Sequence, residues 1–589
     1  MKQRSTFRLS CLLVLVFSAF GQTVFAQSNI HCTNPLAEQI LLGNYDPADY
    51  AASNVIDELT MTTSGIHAGV SADSLKAYLI RLSTFGTRNT GSDTLSPTTG
   101  IGAARRWAHQ KFSEFGAANE NRLVVSYLQF DLDICGMGQH RNIFALLPGS
   151  NPASNGVILI EGHMDSRCSE TCDVLCEAQG IEDNATGTAL VLELARVMAQ
   201  YTFENTILFM ATIGEEQGLL GAEAMAIYLK NKDIPLRAVL NNDIVGGVIC
   251  GETSSPPSCP GLNDIDSTGV RLFSQGGANS RNKQLARFIK LQYQENILPT
   301  AAVPMDLRLQ SLEDRTGRGG DHIPFRERSF PAMRFTSANE HGDASNGPGY
   351  TDRQHTSGDI LGVDTDGDQV IDSFFVQFNY LARNVVINGN AAAVAARNVP
   401  VPAGFTALRS SNGTTGLLDV EIDDPANTGT YRIALRSIGL DWDTLYTLTG
   451  STFGTFPAPP TGPLYVSVAA VDAEGGESLF SGEKLMLITG TETPTEGAGK
   501  NIELFQNRPN PFDEATWISF YVKEVPNYKQ AQILITDMQG KVVERIPVAL
   551  QAGMNELYYV HGYGARGAYT YALQVDGQTV DARQMVFAF

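Results

Sequence analysis

At 589 residues the chain is too long for one compact domain, and about 150 residues per unit points to roughly four. Apolar residues make up 43% and charged residues 18%, which excludes a disordered or fibrous chain. Asp and Glu outnumber Lys and Arg by 63 to 42, a net charge of −21, so no nucleic-acid partner is expected, because phosphates need basic surfaces.

The first 26 residues read as an export signal. Lys2, Arg4 and Arg8 precede an apolar run from Leu9 to Phe20, and Val24-Phe25-Ala26 offers a cleavage point before Gln27. The run is shorter than the ~20 residues that cross a bilayer, so no transmembrane anchor is expected in the mature chain. Of eight cysteines, cleavage removes Cys11 and leaves Cys32, Cys135, Cys168, Cys172, Cys176, Cys250 and Cys259. Export permits disulfides, Cys250 with Cys259 would close a short Pro-rich loop, and the odd count leaves one thiol over.

After an N-terminal segment at 27–73, residues 74–395 alternate short apolar runs with helical patterns, the mark of an α/β unit with a mostly parallel sheet flanked by helices. Strands are expected at Leu123 to Phe130, Asn142 to Leu147, Val157 to Glu161, Thr206 to Ile213 and Ala238 to Asp243. Helices are expected at Ile101 to Phe115, Thr188 to Tyr201 and Leu219 to Asn231. In the second helix Ala189, Leu192, Ala195, Val197 and Met198 share a stripe that should lie on the sheet.

From 398 to 488 short alternating runs such as Leu418-Asp419-Val420-Glu421-Ile422 are separated by Gly, Pro, Asn and Asp, which reads as a β-sandwich. Its stretch from Tyr465 to Ser481 resembles the last two strands of a fibronectin type III domain, and a spacer or adhesive role is expected for it. A linker of Thr, Gly, Pro and Glu at 489–500 leads to a second all-β sandwich module, 501–589. That module opens with Asn507-Arg508-Pro509-Asn510-Pro511-Phe512 and resembles the type A sorting domain of the type IX secretion system of Bacteroidetes. The resemblance implies the type IX machinery as a partner, passage across the outer membrane, and a secreted or cell-surface location.

Five motifs fall at or just beyond the carboxyl ends of expected strands, where an open α/β sheet places its ligand site. They are Gly162-His163-Met164-Asp165, Glu182-Asp183-Asn184-Ala185-Thr186-Gly187, Gly214-Glu215-Glu216-Gln217-Gly218, Asn241-Asn242-Asp243 and Gln354-His355-Thr356 with Asp359. Counted as ligands, His163, Asp183, Glu216, Asp243 and His355 make two imidazoles and three carboxylates, a set that suits zinc. If Asp183 bridges, each of two zinc ions receives one His and one further carboxylate, leaving positions open for a shared water. Two ions about 3.5 to 4 Å apart acidify such a water and clamp a tetrahedral transition state. Glu215 is then free as general base, and Asp165 can orient the His163 ring.

In this order and spacing HMD, EDNATG, GEEQG, NND and QHTSGD resemble the co-catalytic dizinc aminopeptidases of clan MH, the bacterial leucyl aminopeptidases. The resemblance spans roughly Ser74 to Asn388 and includes Phe85-Gly86-Thr87-Arg88-Asn89-Thr90-Gly91-Ser92 and Gly320-Asp321-His322-Ile323-Pro324-Phe325. It implies His163 and Asp243 on one zinc, Glu216 and His355 on the other, Asp183 between them and Glu215 as base. It implies peptide and protein N-termini as substrates. Relatives often carry a Tyr before the last His that helps stabilise the oxyanion, where this chain has Gln354. His341 is a rival for His355, which alone has Thr and a nearby Asp after it in the family manner. His322 is a candidate either for approaching substrate or for a structural hydrogen bond. Carboxypeptidase action, glutaminyl cyclisation and a non-catalytic peptide-binding surface protein are the alternative readings.

Two further patterns stand near these motifs. Cys168, Cys172 and Cys176 recur every fourth residue, as disulfide partners or as a thiolate site. Asp364, Asp366, Asp368 and Asp372 resemble the spaced-acid loops that bind calcium, and a solvated acidic turn is the competing reading.

Overall fold

In a computed structural model the chain is described over residues 27–587, except 155, 250–263, 277–279, 316–318, 340–352, 412–413, 427, 438, 461, 463, 487–500, 509, 513–514 and 562–566. The expected leader, Cys250, Cys259, His341 and the 489–500 linker lie outside the described residues.

A nine-stranded sheet organises the first unit. Its strands are β1 (Ser28–Cys32), β2 (Val124–Ile134), β3 (Met137–Leu147), β4 (Val157–His163), β5 (Thr206–Thr212), β6 (Leu236–Asn242), β7 (Gly269–Phe273), β8 (Asp306–Leu309) and β9 (Ala332–Ser337). They lie in the order β1-β2-β3-β5-β4-β6-β9-β7-β8. The centre β5-β4-β6-β9 is parallel, as the apolar runs predict, because a strand such as VILIEGH is buried on both faces. Antiparallel pairs flank this centre, so the sheet is mixed.

Helices cover both faces. On one face lie α2 (Leu59–Gly69), α3 (Ala72–Ser83), α4 (Gly100–Ala118), α5 (Thr186–Met198), α7 (Arg281–Asn296) and α9 (Phe378–Ala395); on the other lie α1 (Pro35–Leu41), α6 (Leu220–Asn231) and α8 (His322–Glu327). The expected stripe of α5 does meet β4 and β5, and α3, α4 and α9 bury the rest of the helix. Residues 27–73 are part of this unit: β1 pairs with β2, and Leu59 and Ile66 of α2 enter the core beside α9.

The chain runs from β4 through α5 to β5 on one side, then through α6 to β6 on the other side of β4. The carboxyl ends of β4 and β6 therefore border a crevice where the strand order reverses. His163 ends β4, Asp243 follows β6, and Glu215 and Glu216 follow β5.

Beyond Ala395 come two antiparallel sandwiches, each with three strands facing four. In the first, Leu418, Val420 and Phe456 meet Ile433, Val466 and Val468. In the second, Ile518 and Phe520 meet Ile533, Tyr571 and Leu573. The first is packed onto α7. Leu291 joins Ala434, Trp442, Ala469 and Phe480 in one apolar cluster, ringed by Arg287–Glu483 at 3.3 Å, Lys290–Asp441 at 2.7 Å and Arg432–Glu295 at 2.6 Å.

Candidate metal centre

Small residues let the ligand segments close on one another. A Cβ on Gly187 would stand 2.2 Å from the Asn242 carbonyl, so this position of the EDNATG motif admits only glycine if α5 is to start against β6. Gly214 turns the chain out of β5 at a φ of 73°, in the left-handed region that glycine adopts without strain. Asp183 and Asn184 have non-helical backbone angles ahead of α5, which turns the Asp183 carboxylate into the crevice. The Asp359 carboxylate anchors this turn by accepting from the backbone N–H of Glu182 and Asp183 at 2.9 and 3.0 Å. Burial and the neighbouring Glu182 push the Asp359 carboxyl up to about 8.

All five expected ligands meet. His163 Nε2 lies 3.2 Å from Asp183 Oδ1 and 3.4 Å from Asp243 Oδ1. His355 Nε2 lies 3.1 Å from Asp183 Oδ2 and 3.1 Å from Glu216 Oε2. These are two three-residue cradles that share Asp183, one oxygen turned to each. Ligand atoms held about 2.0 to 2.1 Å from one tetrahedral ion stand about 3.3 Å apart, which is close to the imidazole-to-carboxylate spacing in both cradles. His163 Nε2, Glu216 Oε1 and Asp243 Oδ1 are buried without a hydrogen-bond partner. The donor set and the unpaired atoms fit zinc.

Electrostatics agree. Burial works against a charge on His163, yet Glu215 and Asp243 more than offset it and hold its pKa well above the usual imidazole range. Burial is likewise overcome at Asp183, whose contacts with both histidines keep its carboxyl well below the ordinary value. Glu215 moves the other way: burial, with Asp243, Glu216 and Asp321 adding and His163 opposing, raises it well above 4.5. It shares a cavity of about 370 Å³ with Asp183, Glu216, Asp243 and His355, also walled by Arg167, Leu219 and Arg315, while His163 stands behind the wall.

Asp165 does not wall that cavity. Its backbone oxygen lies 3.1 Å from His163 Nδ1, and its carboxylate 3.5 Å. The same carboxylate accepts from Thr90 Oγ1 and from the backbone N–H of Glu216. It therefore acts by holding the His163 ring and the turn after β5. Arg88 of the FGTRNTGS motif donates to the carbonyls of Met164 and Gly180, tying the first two ligand segments together.

Other expectations resolve as follows. His322 makes the structural hydrogen bond, its Nε2 3.1 Å from the Glu313 carbonyl oxygen and its ring buried away from the cavity. Gln354 is buried and not among the cavity walls. Cys168–Cys176 and Cys135–Cys172 are disulfides, which removes the thiolate reading of the Cys168, Cys172 and Cys176 run. Cys32 is a buried free thiol, and burial pushes it up to about 12. Asp364, Asp366 and Asp372 gather on the surface with oxygens within 4.8 Å of one another, while Asp368 accepts from the Val370 backbone N–H.

Two partners of the candidate ligands carry no motif signal. Arg334 Nη2 reaches Asp243 Oδ2 at 3.0 Å and is itself held by Asp314. Arg167 Nε donates to Glu216 Oε2 at 2.7 Å, and its Nη2 lies 2.7 Å from His355 Nδ1. The two imidazoles thus differ behind their ligand atoms, one backed by Asp165 and the other by a guanidinium.

Residues 142–377 match peptidase family M28. A probable zinc metalloprotease of Phaeosphaeria nodorum is 33% identical over 374 residues, covering 59% of this chain and 72% of that one. The chain belongs to peptidase family M28. A second probable zinc metalloprotease, from Pyrenophora tritici-repentis, is 36% identical over 285 residues, covering 46% of this M28 chain and 64% of its relative. Solved structures similar to it include the LapA aminopeptidase of Legionella pneumophila, at 17% identity and a TM-score of 0.40 over 57% of this chain and 73% of that one. The glutaminyl cyclase of Porphyromonas gingivalis matches at 17% identity and a TM-score of 0.38, over 55% and 98%. The M28 family is that of zinc metallopeptidases, and no helix among the described residues is long and apolar enough to cross a membrane.

Proposed function

We propose that the protein is a dizinc aminopeptidase that removes the first residue of peptides. The observation that carries this reading is the pair of cradles sharing Asp183, with Glu215 on the same cavity wall. His163, Asp183 and Asp243 would hold one zinc, and Asp183, Glu216 and His355 the other. Zinc in the two cradles supplies Lewis acidity toward a carbonyl and toward water.

The remaining work falls to side chains of this chain. The Glu215 carboxylate takes a proton from water and returns it to the leaving amine, and its raised proton affinity suits both transfers. Asp165 keeps the Glu215-Glu216 turn in place through their backbone N–H groups, at 3.4 and 3.2 Å.

Cleavage at the carboxyl end is the second reading, and it too has an observation in its favour: the guanidinium side chains of Arg167 and Arg315 wall the same cavity. A panel separates the two. A Leu-peptide with free amino and amidated carboxyl ends, its N-acetylated twin and an N-terminal Gln peptide are offered to the full chain, with zinc counted per molecule. Hydrolysis of the free-amino peptide alone, with about two zinc ions, supports the aminopeptidase. Cleavage that needs a free carboxyl end supports the second reading, cyclised Gln with one zinc moves the assignment to a cyclase, and bound zinc without turnover makes the protein a binder.

Export by residues 1–26 and across the outer membrane belongs to the same proposal. It rests on the composition of the leader and on the Asn507 to Phe512 opening of the last module. The three-facing-four strands of the first sandwich support a fibronectin type III-like module there.

A further inference from the structure

The segment between His163 and Asp183 does more than connect two ligands. Cys168–Cys176 closes it into a loop of eight residues' separation, and Cys135–Cys172 ties the middle of that loop to the turn between β2 and β3. The Thr171 carbonyl in the loop accepts from Asn89 Nδ2 at 2.9 Å and from Gln217 Nε2 at 3.0 Å. Gln217 is the residue after the ligand Glu216. Arg167 stands at the loop's entry with only 12% of its side chain exposed. Its Nη1 donates to the carbonyls of Cys168 and Ser169, while Nε and Nη2 lie 2.7 Å from Glu216 Oε2 and 2.7 Å from His355 Nδ1.

These contacts are one-sided. Among the described residues, the hydrogen bonds of 167–176 beyond the loop reach Asn89, Cys135, Glu216, Gln217 and His355, and none reaches His163 or Asp243. The first cradle has separate support from Asp165 and Arg334. A guanidinium is a rigid planar fork, so holding one end of it on the loop backbone fixes the direction of its other two nitrogens. Both nitrogens face residues of the second cradle alone; zinc on His355 Nε2 would leave a proton on Nδ1, so the bond that positions a ligand is the one from Nε to Glu216 Oε2.

We infer that Arg167 is the positioning residue of the second cradle, held to that task by the disulfide-closed loop, and that the occupancy of this cradle depends on the loop while that of the first does not. This rests on the dizinc reading. Outer partners of metal ligands change metal affinity by about 10- to 100-fold, which sets the size of the effect.

The test is calorimetric titration of zinc into the chelator-stripped full chain, with the step lost in a Glu216→Gln protein marking the second cradle. Arg167→Met is expected to weaken that step about 10- to 100-fold and leave the first step unchanged. Arg167→Lys should recover part of the loss, and the Cys168→Ser/Cys176→Ser protein should behave like Arg167→Met. If the cysteine variant fails to fold, the two arginine variants decide. Equal or tighter binding of the second zinc by Arg167→Met overturns the inference, as does parallel weakening of both steps. Parent protein that takes fewer than two zinc ions overturns the dizinc reading itself, a result distinct from failure of Arg167 alone.

Discussion

The contact between α7 and the first sandwich buries a carboxylate whose titration should be measurable. Glu477 is 5% exposed, accepts from Gln292 Nε2 of α7, and has Arg432 Nε at 3.9 Å. Burial pushes its carboxyl from 4.5 up to about 7, with Arg432 opposing and Glu295 adding. A carboxyl raised on folding takes up a proton as the structure forms. Its neutral form therefore supports the folded state fully below pH 4.5, and that support is lost as pH rises through about 7. At 1.36 kcal/mol per pKa unit the shift amounts to roughly 3 kcal/mol, an upper figure for a group this buried. Glu477→Gln removes the titration and keeps an oxygen to accept from Gln292. Trp442 offers the readout, because it packs on Phe480 at 4.1 Å inside the same contact. In a Trp107→Phe/Trp517→Phe background, urea unfolding followed by Trp442 fluorescence should show parent and variant drawing apart between pH 4.5 and 8, with the variant the more stable at the alkaline end. A difference that stays flat across that range would refute the reasoning.

Three further outcomes follow from the centre. Glu215→Gln should retain about two zinc ions and lose about a hundred- to ten-thousand-fold in turnover; unchanged hydrolysis in that protein would remove Glu215 from the mechanism. Asp183→Asn deprives both cradles of their shared charge, so metal analysis should find less than one zinc per chain, and retention of two would show that the cradles do not depend on it. Gly187→Ala drives a methyl group to 2.2 Å from the Asn242 carbonyl and should cost about 1 to 3 kcal/mol or more, read as a lower urea midpoint with a matching loss of zinc.

The cluster of candidate ligands was legible in the sequence because chemistry confines such residues: acidic and imidazole side chains stand at strand ends, beside glycines that let backbones touch. The parallel centre of the sheet was legible for a related reason, since strands buried on both faces are apolar throughout. The partners behind the ligands were not. Arg334 and Asp314 lie far along the chain from the Asp243 they support, and only folding joins them. Arg167 stands inside a polar stretch where an arginine needs no explanation. Edge elements were hidden as well: β1 is five residues of mixed character, and the tip of the β2–β3 hairpin is polar because it faces solvent. Packing of the sandwich on α7 leaves no periodic trace, since one leucine and a ring of charges do most of it.

The turn that presents Asp183 is closed by Asp359, and the second cradle by His355, so the centre is finished by a segment made long after its first ligand. A chain still on the ribosome with its length short of about residue 360 holds His163, Asp183, Glu216 and Asp243 without their last partner. The order of synthesis thus withholds the last of these side chains, and the anchor of the Asp183 turn, until nearly the whole α/β unit has emerged.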